Sequence, residues 1–405
     1  MIMAQALARL RMNLDFMPSP IEERPGLLIR DNFQYSDAVL VIPPLLVQCL
    51  QCFDGEQTDL DLRRMLVDLT GELDVGPIVE HLSNSLSQAG FLQDDVYAAL
   101  REARERAFAE APVREPSHAG AAYPDEPDAL RSTLNGYLAG SSAATADGNL
   151  IGIAAPHVSP FGGVESYRAA YGALSTEYKD KTFVILGTSH YGTPERFGLT
   201  RKPFLTPYGQ ARTDAGLVDQ LAGQPAALME DYCHAVEHSI EFQVVFLQHL
   251  FGPDISIVPI LCGSYFRSMQ RQGLPEDDEK VRRFLDGLGE IAAKRGRELL
   301  WVLGIDMAHM GRRYGDPLEA KANEGEMLRV SLRDQMRIER INAGDARGFW
   351  EQVRENEDDL KWCGSAPMYT FLKAVPEARG TLRHYQQWNI DEESVVSFSG
   401  MTFSK

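Results

Sequence analysis

A chain of 405 residues with 44% hydrophobic and 24% charged content can bury a large core and suggests roughly two to three domains. Its net charge of -18, from 40 basic against 58 acidic residues, argues against a general nucleic-acid or anionic-membrane binder, because both surfaces repel it. No run approaches the roughly 18 uninterrupted apolar residues of a membrane span, and MIMAQALARLRMNLDF lacks the pattern of a secretory leader, so a cytoplasmic protein is expected.

Residues 1–100 read as a small α+β unit. LLIRDNFQYSDAVLVIPP has the β-branched content of a hairpin or two short strands. PPLLVQCLQCFDGEQ follows as a helix opened by prolines and closed by Asp54-Gly55. TDLDLRRMLVDLTGE is a second helix with Thr58 as N-cap. VGPIVEHLSNSLSQAGFLQDD is a third, stopped by Gly90 and followed by a short strand. Cys49 and Cys52 form a C-x-x-C on this background. Two buried thiols on one helix face, or a zinc or redox pair, are the alternatives. The five cysteines are odd in number and scattered, which is not a disulfide framework. Residues 101–117 are charged, then proline-bearing, and read as a helical linker.

Beyond residue 118 short apolar runs alternate with helical patterns. GNLIGIAAPH, KTFVILGTSH, ISIVPILCGS, ELLWVLGIDMAH and SVVSFSGMTF suit strands buried on both faces. DEPDALRSTLNGYLAG, EHSIEFQVVFLQHLF and DDEKVRRFLDGLGEIAAKRG suit helices. The alternation predicts an α/β fold with a doubly wound, mainly parallel sheet. Three of the runs end in residues of metal-ligand type: His157, His190, and Asp306 with His309. In an open α/β sheet the carboxyl ends of the strands share one edge, where ligands bind. A histidine at a strand end is otherwise a structural group. Glu237, His238 and Glu241 read as the first turn of an apolar helix, either as capping carboxylates or as a partner and proton carrier beside a metal. Cys363 precedes a helix marked by Ser365 and Pro367, a setting that favours the thiolate.

The motifs APH, LGTSH, FLTPYG, EHSIEFQ, IVPI, Asp306-Met307-Ala308-His309 and CG stand in the order of the Memo family, whose microbial branch is called AmmeMemoRadiSam system protein B. The resemblance runs from about Ala119 to the C-terminus. It implies a fold similar to class III extradiol dioxygenases and a metal, iron or copper with zinc as a further candidate, held by His157, His190 and Cys363. Asp306, His309 and His238 would line the same cavity. This sequence departs from the family pattern at Val158-Ser159-Pro160, Tyr191 and Gly304-Ile305, so the ligand types survive while the pocket wall changes. Residues 1–100 resemble, more distantly, the winged-helix-like peptide-recognition modules related to PqqD, which accompany radical-SAM systems.

Three functions are carried forward. One is a redox metalloenzyme acting on a small-molecule or peptide substrate. Another is a metal-bearing binding or maturation factor that works with a radical-SAM partner. The last is a zinc hydrolase with Glu237 or His309 as general base.

Overall fold

The computed structural model describes residues 4–21, 23–140 and 150–405. The first three residues of the N-terminal apolar patch, and Gly148-Asn149 at the head of the GNLIGIAAPH run, lie outside them. The chain divides into two units, Met1–Glu110 and Ala111–Lys405.

The first unit opens with a three-stranded antiparallel sheet, β1 (Asp15–Pro18), β2 (Leu27–Arg30) and β3 (Val39–Ile42), in that spatial order. Helices α1 (Pro44–Val47), α2 (Asp59–Thr70), α3 (Gly76–Gln88) and α4 (Asp95–Glu110) follow. Thr58 and Asp61 form a reciprocal capping box at the start of α2, and Gly71, at φ 73°, ends that helix in the left-handed conformation that glycine adopts without strain. The strand expected after the third helix is reduced to one bridge, Leu10 to Leu92. Asp94 explains this. Its carboxylate accepts the Tyr97 N–H at 3.0 Å and turns the chain directly into α4. Ile29, Leu62, Leu66, Leu86 and Phe91 centre the core.

The second unit is built on an 11-stranded mixed sheet. Its chain order is α5 (Pro127–Leu138), β4 (Leu150–Ala155), α6 (Val164–Tyr171), β5 (Thr182–Thr188), β6 (Phe197–Leu199), β7 (Phe204–Thr206), β8 (Gly209–Thr213), α7 (Ala215–Ala222) and β9 (Ala227–Met229). Next come α8 (Cys233–Val236), α9 (Glu241–Phe251), β10 (Ser256–Cys262), α10 (Phe266–Gln270), α11 (Glu279–Arg295), β11 (Leu299–Gly304) and β12 (His309–Gly311). The chain closes with α12 (Glu326–Asn342), α13 (Ala346–Arg354), α14 (Ser365–Ala374), β13 (Arg379–Asn389) and β14 (Ser394–Ser404). The central strands β4-β11-β5-β10 are parallel, and β14 and β6 flank them antiparallel.

Alternate side chains of the central strands enter different cores, as the period-two geometry of a strand requires. Phe183, Ile185, Leu300 and Val302 pack with α5, α6 and α9. Val184, Leu186, Trp301 and Leu303 pack with α7, α11, α12, α13 and α14. Helices thus cover both faces, which is why these strands read as continuous apolar runs. Among the described residues no helix is long and apolar enough to cross a membrane.

Candidate metal centre

Three adjacent parallel strands deliver the site. β4 ends at Ala155, β11 at Gly304 and β5 at Thr188. Gly304 is level with Ala155 on one side and Gly187 on the other. His157, Asp306 and His190 each stand two residues beyond the end of their strand, so the three side chains emerge in a row from one sheet edge. Backbone bonds keep the row level: Ile305 N–H donates to Ala155 O at 2.9 Å and Ser189 N–H to Cys262 O at 3.0 Å. Gly304 and Gly187 are required where they stand. A Cβ on Gly304 would lie 2.1 Å from Ser239 O, and one on Gly187 would lie 2.6 Å from Ile240 and from Ser239 Oγ.

Cys363 arrives from the opposite direction, just before α14. Gly364 N–H donates to Asp306 O at 3.1 Å and clamps the turn onto the β11 strand end. Cys363 Sγ then lies 3.4 Å from His157 Nε2. One side-chain donor atom each from His157, His190 and Cys363 falls within 4.8 Å of the other two. His190, Glu237 and His238 satisfy the same criterion.

The hydrogen bonds behind the imidazoles point their outer nitrogens inward. His157 Nδ1–H donates to Gly304 O at 2.9 Å, and His190 Nδ1–H donates to Glu237 Oε1 at 2.9 Å. Glu237 is 1% exposed and also accepts the His190 backbone N–H at 2.6 Å, so it grips ring and main chain together. With Nδ1 occupied, Nε2 of each ring is left as the ligand atom. Two imidazole nitrogens and a thiolate make a soft to borderline donor set, which fits iron(II), copper(I) or zinc and leaves at least one coordination position open.

The electrostatics favour a thiolate at Cys363 and a protonated ring at His190, so a metal binding here would displace the His190 proton. Burial alone would raise the Cys363 thiol pKa, but His157 and His190 outweigh it and hold it below its ordinary value. Burial would likewise lower that of His190, yet the Glu237 carboxylate and the Cys363 sulfur push it well above. Asp306 is pushed up to about 6 by burial, against the pull of His309 and of the His157 N–H that donates to it at 2.9 Å.

The remaining expected residues divide around the cluster. His238 stacks on His190 with centroids 5.2 Å apart and rings within 6° of parallel, and stands edge-on to His157 at 5.2 Å. Burial first, then the neighbouring cationic groups, keep it neutral. His309 lies beside Asp306 with Nδ1 tied to Met307 O at 2.9 Å, and its ring meets Tyr314 edge-on at 5.0 Å. The expected common helix face of Glu237 and Glu241 does not form. Glu237 is the extended residue that ends α8, whereas α9 begins only at Glu241. The break turns Glu237 toward His190 and Glu241 toward Arg114, a fully buried ion pair. Glu241 also accepts the His118 N–H at 3.0 Å, which sets the His118 ring 5.3 Å from His238. His118 is thus a further histidine near the site that sequence reasoning missed. In the TPYG turn, Tyr208 is bonded to His249 at 3.0 Å. His234 and Cys262 are packed in the interior.

A two-faced α/β sheet with a histidine–cysteine cluster at its carboxyl edge defines a candidate metalloprotein. The family model for Memo-like protein matches residues 114–402, and the chain belongs to that family. A MEMO1 family protein of Aquifex aeolicus is 26% identical over 388 residues, covering 93% of this chain and 95% of its own length. A MEMO1 family protein of Thermococcus kodakarensis is 29% identical over 306 residues, covering 72% of this chain and all of its own. The Aquifex match therefore reaches into the first unit, whereas the Thermococcus protein is accounted for by a stretch about as long as the second.

Proposed function

We propose that this Memo protein is a mononuclear metalloenzyme whose His157, His190 and Cys363 hold iron or copper for a redox reaction on a small-molecule or peptide substrate. The carrying observation is the convergence of one ring nitrogen each from His157 and His190 and one Sγ from Cys363 within 4.8 Å of one another, each imidazole backed by an oxygen acceptor. The metal would supply electron transfer at its open position. Glu237 fixes the His190 ring. Asp306 and His309 border the cluster, where His309, its pKa lowered by burial, can take up or release a proton at Nε2. His238, stacked on His190 and neutral, offers a second hydrogen-bonding edge to a bound substrate.

The existence of a separate N-terminal unit with its own core supports a second reading: a binding or maturation factor in which a PqqD-like module engages a peptide or a radical-SAM partner. The deciding experiment is elemental analysis of protein purified under anaerobic, reducing conditions, with His157→Ala and Cys363→Ala alongside. About one equivalent of iron or copper, lost in both variants, is expected. Stoichiometric zinc would favour hydrolysis, and no metal after reconstitution would overturn the metalloenzyme reading.

A further inference from the structure

Helix α12 turns an apolar face to the core through Met327, Val330, Ile338 and Ile341, and that face is interrupted by Asp334 and Arg337. A carboxylate in such a stripe costs solvation free energy unless its oxygens are fully bonded. Asp334 is 0% exposed, and three donors meet it. Trp362 Nε1–H donates to Oδ1 at 2.7 Å. Tyr385 O–H and Ser397 Oγ–H donate to Oδ2 at 2.8 and 2.6 Å.

Two of those donors lead to the candidate metal centre by different routes. Trp362 is the residue before Cys363. Its indole is held at the ring nitrogen by Asp334, and Arg337 lies over its ring at 5.4 Å. Its backbone N–H donates to Asp358 at 3.0 Å. Ser397 accepts the Ala308 N–H at its Oγ, 2.9 Å away, and brackets the same loop with its main chain: Met307 N–H donates to Ser397 O at 2.8 Å, and Ser397 N–H to Ala308 O at 2.9 Å. Asp306 and His309 flank those two residues. The third donor, Tyr385, leads to neither loop; its hydroxyl accepts from Gln387.

We infer that Asp334 is a positioning residue of the site, tying together from behind the two loops that carry Cys363 and Asp306–His309, the first through Trp362 and the second through Ser397. It touches none of the proposed ligands. Its role rests on the reading of the cluster as a metal centre. A carboxylate suits the position because it accepts from both loops at once, and the indole N–H, unlike a hydroxyl, cannot reverse its bond to accept instead. Groups that orient ligands from one layer further out commonly tune metal affinity by about 10- to 100-fold.

The test uses the full chain and three conservative variants, so that the three donors are removed one at a time. Trp362→Phe removes the arm to Cys363, Ser397→Ala the arm to the Asp306–His309 loop, and Tyr385→Phe a part-buried bond to the same carboxylate that leads to neither. Cobalt(II) titration reads affinity and the thiolate-to-cobalt charge-transfer band. Amide hydrogen exchange on the metal-free protein reads the two loops directly. Trp362→Phe is expected to weaken cobalt(II) about tenfold, diminish the charge-transfer band and speed exchange across residues 358–366. Ser397→Ala speeds exchange across residues 305–311, and Tyr385→Phe alters neither loop nor affinity. Wild-type protein that fails to bind cobalt(II) would sink the metal reading while the exchange measurement still judges Asp334. Unchanged exchange in both loop variants, or equal loosening by Tyr385→Phe, would overturn the positioning role.

Discussion

The chain places cysteines in two opposite environments. Cys49 and Cys52, the pair that looks like a motif, are 0% exposed in the core of the first unit. Burial raises both thiols, and Cys52 Sγ meets another sulfur, Met65 Sδ, at 3.8 Å. Cys363, which belongs to no cysteine motif, sits between two imidazoles that lower its pKa despite its burial. Spacing alone therefore points to the wrong thiols. A C-x-x-C on an apolar segment becomes core, and a solitary cysteine becomes chemical when three strand ends converge on it.

The largest expected effect sharpens that contrast. In metal-free native protein, iodoacetamide should modify Cys363 about two orders of magnitude faster than Cys49 or Cys52, because thiolate fraction and access both favour it. Peptide mass mapping against time measures this. Comparable rates at all three would erase the distinction.

A smaller effect concerns the support of the site rather than its ligands. Arg114 donates to Glu241 and to the carbonyls of His234 and Glu237, at 2.8 Å for each carbonyl, all in the interior. Burial would raise the Glu241 pKa, but Arg114, His118 and Tyr123 win and hold it well below 4.5. A depressed folded-state pKa means that the stabilisation is complete above the unfolded value and is lost as pH falls through that value toward the folded one. Glu241→Gln leaves Arg114 buried without its counter-charge and should cost about 3–5 kcal/mol at pH 7. The gap to wild type should narrow steadily below about pH 4.5. Urea unfolding at pH 7, 5 and 3 reads both numbers, and a gap independent of pH would contradict the assignment.

The sheet and the edge that carries the candidate site were legible because both are local in sequence. A doubly covered parallel strand is a continuous apolar run, and His157, His190 and Asp306 directly follow such runs. What could not be read depends on partners far apart in the chain. Glu237 and Glu241 share a helical spacing, and only the break between α8 and α9 shows that they face different partners. His118 nears the site because Glu241, 123 residues away, binds its backbone. Asp334 is visible beforehand only as a charge in an apolar stripe; its meaning comes from Trp362 and Ser397, 28 and 63 residues distant.

The smallest effect tests whether the two thiol environments are separable in function. Cys52→Ser puts a hydroxyl where the wild-type sulfur packs against Met65, so an unbonded polar group is buried at a cost of about 1–3 kcal/mol. The site in the second unit should keep its metal. Cys363→Ser has the reverse signature. The serine hydroxyl can still bond His157 Nε2 or Asp306 O, two of the partners of the present sulfur, so stability should move by less than about 1 kcal/mol. A hydroxyl is not deprotonated as a thiol is, so the soft ligand and its metal should be lost together. The melting temperature of metal-free protein, and the metal content after loading, should therefore separate cleanly between the two variants, one falling in each. If Cys52→Ser also lost the metal, the first unit could not be an independent core. If Cys363→Ser kept it, the sulfur would not be a ligand, and the histidines with Glu237 would have to hold the metal alone.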